Sequence, residues 1–192
     1  MMPASRGAMA AAAIPSGALR RCGGNAVPKT RRSPLFYLRQ VRPSDGPALI
    51  RMHERCSRAT RYSRWLAPSS VFPDAYLRSM SACGPEHIAI VAVCSGRPSR
   101  IVGLASAAAD SGGERELGFL IEDDYQGLGI GRVMLNALMN LIGPDEGLHV
   151  SVLFENQWLI GKLARFGTVV TQLDNGIIDA RVTRTPRRPR DP

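Results

Sequence analysis

The residues whose type and spacing most plainly could do chemistry are Gly127, Gly129 and Gly131, at every second position in Gln126-Gly127-Leu128-Gly129-Ile130-Gly131-Arg132. Glycine lets the backbone approach a ligand where a Cβ would stand in the way. Arg132–Ile142 follows with apolar residues at helical spacing, so the glycines lead into a helix N-terminus. There about four amide donors lack partners, and the helix dipole leaves roughly half a positive charge. Such a place binds anions, most naturally phosphate. A strand–turn–helix with flexible glycines and no ligand is the competing reading, and spacing alone leaves both open. Two sharper phosphate motifs fail. The dinucleotide fingerprint requires Gly-x-Gly-x-x-Gly with an acidic residue about 20 positions on, and the Walker loop requires Gly-Lys-Ser/Thr. Here the order is Gly-x-Gly-x-Gly, with no lysine.

The elements that must position this loop follow from periodicity. Glu114–Ile121 reads as the strand that feeds it, through the turn-prone Glu122-Asp123-Asp124. Upstream, Leu35–Arg42 is a first strand, and Ala48–Arg58 is a helix with Leu49, Met52 and Cys56 on one face. Ser57–Leu66 and Pro73–Met80 are short helical stretches. His87–Cys94 is a continuous apolar run, expected as a buried strand, and Ile101–Ala109 returns beside it. Gly143-Pro144 stops the long helix. Leu148–Phe154 alternates as a strand and Asn156–Phe166 is helical. Val169–Leu173 and Ile177–Val182 flank the hairpin turn Asp174-Asn175-Gly176.

Composition bounds the rest. At 192 residues with 44% hydrophobic content, the chain supports one domain with a real core and tails. The net charge of +9 belongs to the ends. Residues 1–44 hold eight basic residues and no acid, and residues 181–192 hold five arginines against Asp191, which leaves the middle at −3. Residues 1–34 read as a disordered basic leader, with an organellar transit peptide or an over-long start as alternatives. Residues 184–192 read as a disordered basic tail. Basic tails attract nucleic acid by charge alone, but no nucleic-acid motif appears and no specific nucleic-acid partner is expected. Cys22, Cys56, Cys83 and Cys94 form no Cys-x-x-Cys pair, so neither a disulfide framework nor a metal site is indicated. No apolar run approaches about 18 residues, so no membrane span is expected.

Gln126–Gly131, with the strand before it and the helix after it, resembles the Gln/Arg-x-x-Gly-x-Gly/Ala loop of the GNAT N-acetyltransferases, which grips the pyrophosphate of coenzyme A. Cys56–Trp65 matches, at Ser57, Thr60, Arg61, Tyr62 and Arg64, a Leu-Ser-x-x-Thr-Arg-Tyr-x-Arg-Phe stretch of relatives of bacterial protein-lysine acetyltransferases. The resemblance covers about residues 36–183, with the domain placed at 35–183. It implies an α/β (α+β) GNAT acyl-CoA N-acyltransferase fold, a mixed central sheet of about six to seven strands flanked by about four helices.

What the resemblance implies for function is an N-acetyltransferase using acetyl-CoA, by direct attack in a ternary complex. Gln126, Gly127, Leu128, Gly129, Ile130, Gly131 and Arg132 would hold the pyrophosphate. Phe119, Leu120 and Ile121 occupy the strand whose main chain pairs with the pantetheine arm, and the Ile121 amide can polarise the thioester carbonyl. An amine of the lysine type, with a pKa of about 10.4, must lose a proton before it attacks. Arg115-Glu116-Leu117-Gly118-Phe119 resembles the stretch that carries the base in protein-acetyltransferase-like members, which makes Glu116 the candidate. A solvent-facing strand carboxylate is the alternative, and Glu114 ranks second. Asn156 either binds the pantetheine amide, as in relatives, or serves only as an N-cap. Two departures stand out: Leu163 falls where many members carry the tyrosine that protonates the thiolate, and Phe166-Gly167-Thr168 replaces the usual helix end. The expected acceptor is a protein lysine, with a small amine next. A non-catalytic acyl-CoA-binding module is the alternative class. The protein is expected in the cytoplasm, without metal, with a homodimer left open.

Overall fold

Seven strands form one mixed sheet because each carries apolar residues on one or both faces. The computed structural model describes residues 36–184. In chain order these are β1 (Phe36–Gln40), α1 (Gly46–Arg55), α2 (Arg58–Trp65), α3 (Asp74–Ser81), β2 (His87–Cys94), β3 (Ile101–Ala109), β4 (Arg115–Ile121), α4 (Ile130–Met139), β5 (Leu148–Leu153), α5 (Trp158–Leu163), β6 (Gly167–Asp174) and β7 (Ile177–Arg184). The sheet order is β1-β2-β3-β4-β5-β7-β6. Five helices flank it where about four were expected. β7 runs through Arg184, which was expected in the tail; its guanidinium bonds the carbonyl of Ile142 at 3.1 Å. The expectations for residues 1–34 and for the tail from residue 185 onward lie outside the described residues. No helix among the described residues is long and apolar enough to cross a membrane.

Period-2 alternation divides the core between the two faces of the sheet. Ile90, Ala92 and Leu117 point to one face, where α4 packs Ile130, Met134, Leu135 and Leu138 at i, i+4, i+5 and i+8. Val91, Val93, Leu104 and Leu120 point to the other, under Leu49 and Met52 of α1 and Met80 of α3. The central strands β2 and β3 are buried almost throughout, which is why their sequences read as unbroken apolar runs.

One break in the ladder organises the molecule. β4 and β5 are parallel but pair only at Arg115↔Leu148 and Glu116↔His149. β5 then follows β7 along its whole length, while β4 continues beside β3, and the two strands part. The start of the fork is pinned by Arg115, which is 8% exposed. Its Nε donates to Glu146 at 2.7 Å and its Nη1 to the carbonyl of Pro85 at 2.9 Å. The hydrogen bond from Arg115 holds Glu146 below the ordinary carboxylate range, although burial opposes it. At the far end of β4, buried Glu122 accepts from Arg55 at 2.7 Å and Arg100 at 2.6 Å. These ion pairs tie the strand's exit to α1 and to the turn before β3.

Candidate functional site

The parted strands leave backbone groups without a sheet partner. The amide of Glu122 bonds the carbonyl of Val102 on β3, and the amide of Arg115 bonds the carbonyl of Gly147 beside β5. Along β4 the even residues therefore turn their amides and carbonyls toward β3, and the odd residues toward β5. Phe119 and Ile121 present theirs to the gap. A cavity of about 490 Å³ opens there, bounded by β4 from Leu117 to Ile121, by Val150–Val152 of β5, and by the glycine loop.

The loop takes a form that its glycines permit. Gly127 and Gly129 have φ of +72° and +78°, and a Cβ built on either would meet nothing within 4 Å. Gly129 is the N-cap of α4 and offers no side chain, and no acidic residue stands in the first turn. The first amides of α4 are thus left without a side-chain acceptor beside an open space, the arrangement that binds phosphate oxygens. Gly131 faces inward, where a Cβ would come within 3.3 Å of the Ile121 side chain. Arg132 is exposed and lines the same cavity.

The turn before the loop is tied to α2. The Asp123 carboxylate accepts from the Ser57 amide at 2.8 Å, the Ser57 hydroxyl at 2.7 Å and the Thr60 hydroxyl at 2.8 Å. Burial pushes the Asp123 carboxyl up, but these hydrogen bonds outweigh it and hold the group below the ordinary range. Ser57 also caps α2 by accepting from the Thr60 amide at 3.1 Å. Gln126 completes the bracket, because its Nε2 donates to Thr60 Oγ1 and to the Ile121 carbonyl, each at 3.0 Å. Its side chain is thereby turned back on β4 and α2.

Of the residues singled out from sequence, Phe119, Leu120, Ile121, Gln126, Gly127, Gly129, Ile130, Gly131, Arg132 and Asn156 line this one cavity. Leu128 does not; it is 39% exposed. Glu116 is exposed and lies outside the lining, at the last paired position before the fork. Glu114 is drawn away, 3.4 Å from Arg181. Asn156 closes a 3-10 turn over Phe154–Asn156, and the N-cap of α5 is Gln157. The reading of Asn156 as an N-cap is therefore corrected: the intervening tight turn displaces it by one residue. Leu163 is fully buried in the α4-side core.

The sequence alone did not single out Arg64, Ser63, Tyr125, Ser151 or Trp158 as site residues, yet all line the cavity. They come from elements far apart in the chain, so no local spacing joins them. Arg64 and Ser63 fall within the stretch Cys56–Trp65 that carried a family resemblance, the one signal available. His149 is a further omission. It pairs with Glu116 in register, so both side chains leave the same face of the sheet. Its Nε2 lies 3.3 Å from Ser151 Oγ, which also bonds Asp179.

No family model matches the sequence, and neither does any curated protein. Solved structures do match in fold. The GNAT domain of the S. lividans PAT is 17% identical with a TM-score of 0.63, over 78% of this chain and 90% of that one. The yncA acetyltransferase from Salmonella typhimurium, solved with its cofactor acetyl-CoA, is 16% identical with a TM-score of 0.58, over 81% and 98%. A GNAT superfamily phosphinothricin acetyltransferase from Sinorhizobium meliloti in complex with AcCoA is 14% identical with a TM-score of 0.55, over 78% and 88%. The chain has the GNAT acyl-CoA N-acyltransferase fold.

Proposed function

We propose that this protein is an acetyl-CoA-dependent N-acetyltransferase that transfers the acetyl group directly to an amine in a ternary complex. The observation that carries the reading is the parting of β4 and β5 beside an uncapped helix N-terminus, in one cavity. The residues present suit acetyl-CoA as a substrate. The amides from Gly127 to Gly131, with Arg132, would take the pyrophosphate. The free edge of β4 at Phe119 would pair with the pantetheine arm, and the Ile121 amide would face the thioester oxygen as its charge develops. Neighbours of the same fold were solved with acetyl-CoA bound, which supports the donor.

In the transfer the amine nitrogen forms a C–N bond to the acetyl carbon as the C–S bond breaks. One proton leaves the amine, and the departing thiolate takes one up. Glu116 is the base in this reading, reached directly or through water from the α2 side of the sheet. Direct attack is favoured over a cysteine-bound intermediate. None of Cys56, Cys83 and Cys94 lines the cavity, and burial pushes the Cys56 thiol up to about 12.

For the acceptor two readings compete: the resemblance at Ser57–Trp65, which forms the α2 wall, speaks for a protein lysine, and the absence of carboxylates from the cavity lining speaks for a small amine. A non-catalytic acyl-CoA-binding module is supported by position 163, where a leucine, fully buried, offers no proton to a leaving thiolate. Thiol release from acetyl-CoA against a panel of amines and lysine peptides decides between enzyme and module. Tight coenzyme binding with no acceptor-dependent release would sink the enzyme reading.

A further inference from the structure

On the α2 side of β4, facing away from α4, the cavity wall carries an unusual cation. An ideal Cβ on Gly118 would lie 2.2 Å from Arg64 Cζ and Nη2 and 2.7 Å from its Nε. The guanidinium therefore fills the space that a side chain at position 118 would take. It is held from behind. Its Nη2 donates to the Tyr76 hydroxyl at 2.6 Å, and Tyr76 in turn shares a short hydrogen bond with the buried Ser106 hydroxyl. Its Cζ sits 4.4 Å from the Trp65 ring centroid and 5.0 Å from that of Tyr76.

No carboxylate among the described residues pairs with Arg64. The cavity lining contains no aspartate, glutamate, lysine or histidine; its charged side chains are Arg64 and Arg132. Arg132 belongs to the first turn of α4, at the end suited to the coenzyme phosphates. Arg64 lies across the strand from it, on the face from which an acceptor must come. A second cation arriving there, whether a lysine ammonium or a polyamine, would meet like charge, and no carboxylate lines the cavity to offset it. A fixed guanidinium fork free of protein carboxylates is instead suited to a carboxylate in the bidentate manner.

Resting on the N-acetyltransferase reading, we infer that the acceptor is a small amine bearing its own carboxylate, an amino-acid-like molecule, and that Arg64 grips that carboxylate and presents the amine to the gap between β4 and β5. The guanidinium charge also disfavours the ammonium form of the bound acceptor, so deprotonation becomes easier where attack must occur.

The test uses the full chain with acetyl-CoA and thiol release as the readout. Acceptors are supplied in matched sets: free amino acids, their amides and the corresponding decarboxylated amines, with spermidine and an N-capped lysine peptide alongside. kcat/KM is expected to favour the acid over its amide by roughly ten- to a hundredfold, the worth of a charge-assisted hydrogen bond. In Arg64→Gln that ratio falls toward one, and in Arg64→Lys it is intermediate because the point charge remains without the fork. Each ratio is taken within one variant, so a general loss of activity cancels, and thermal melting checks that each variant folds. Tyr76→Phe, which frees the guanidinium from its anchor, lowers the ratio in the same direction. Equal use of acid and amide, or preference for spermidine or the peptide, overturns the inference and leaves the acetyltransferase reading standing. Absence of thiol release with every acceptor removes both.

Discussion

Gly129 and Gly176 allow the proposed coenzyme loop to be tested with its own control. Both have positive φ, +78° and +79°, and a Cβ on either would meet nothing within 4 Å. Alanine at either position thus carries the same backbone penalty, about 1–2 kcal/mol for an L-residue held in the left-handed region. In a domain of this size that lowers Tm by roughly 2–8 °C. Gly176 belongs to the β6–β7 turn, outside the cavity, whereas Gly129 is the N-cap of α4 and lines it. In Gly129→Ala the new methyl group projects into the space proposed for pyrophosphate. Loss of one charge-assisted hydrogen bond to a phosphate oxygen costs about 1.5–3 kcal/mol, so the Kd for acetyl-CoA should rise roughly ten- to a hundredfold. Gly176→Ala should bind as the parent does. Calorimetric titration with acetyl-CoA, with melting curves for both variants, measures the two effects separately. If the variants melt alike and bind acetyl-CoA alike, the loop does not hold the coenzyme and the donor assignment is wrong.

Three further predictions concern the base, the fork and the acid limit of stability. Glu116→Gln should lower kcat by roughly 10²–10⁴ with little change in acetyl-CoA Kd; retained kcat would move the base role elsewhere on that face, where His149 stands in register. Glu122→Ala leaves Arg55 and Arg100 without their shared partner at the end of β4. Because those cations are about a third exposed, the loss should be about 1–3 kcal/mol, less than for a fully buried pair, and urea denaturation measures it. Burial, with the charges of Arg64 and Arg115, pushes the His87 imidazole down to about 4. The unfolded chain takes up that proton near pH 6.5, the folded protein only near pH 4. Stability is therefore full above about pH 6.5 and is lost as pH falls toward 4, by about 3 kcal/mol in total. His87→Gln should flatten this slope, and an unchanged slope would refute the assignment.

Much of the fold was legible because the deciding signals are local. The period-2 alternation of β5 and the apolar spacing of α4 appear in sequence, because burial selects residues one at a time along an element. Asn175-Gly176 announced its hairpin for the same reason: Asn175, at φ +47°, and Gly176 adopt the positive φ that the turn needs. Element ends were less legible. α4 begins at Ile130, two residues before the helical stretch expected from Arg132, because Gly129 in the left-handed conformation lets the helix begin early. Asn156 missed the cap of α5 because nothing in its neighbours signals the 3-10 turn that carries it.

The glycine loop between a strand and a helix, the part proposed to hold the donor, is readable from the residues alone because it is covalently continuous from Leu117 to Arg132. The proposed acceptor side exists only in the folded chain. Only the departure of β5 toward β7 opens β4 at Phe119 and Ile121, and only the packing of α2 and α3 lays Arg64 over Gly118 with Tyr76 behind it. Position 118 reads as one more glycine in a strand. Its meaning comes from a guanidinium 54 residues earlier in the chain, and no local pattern encodes a contact that chain folding alone creates.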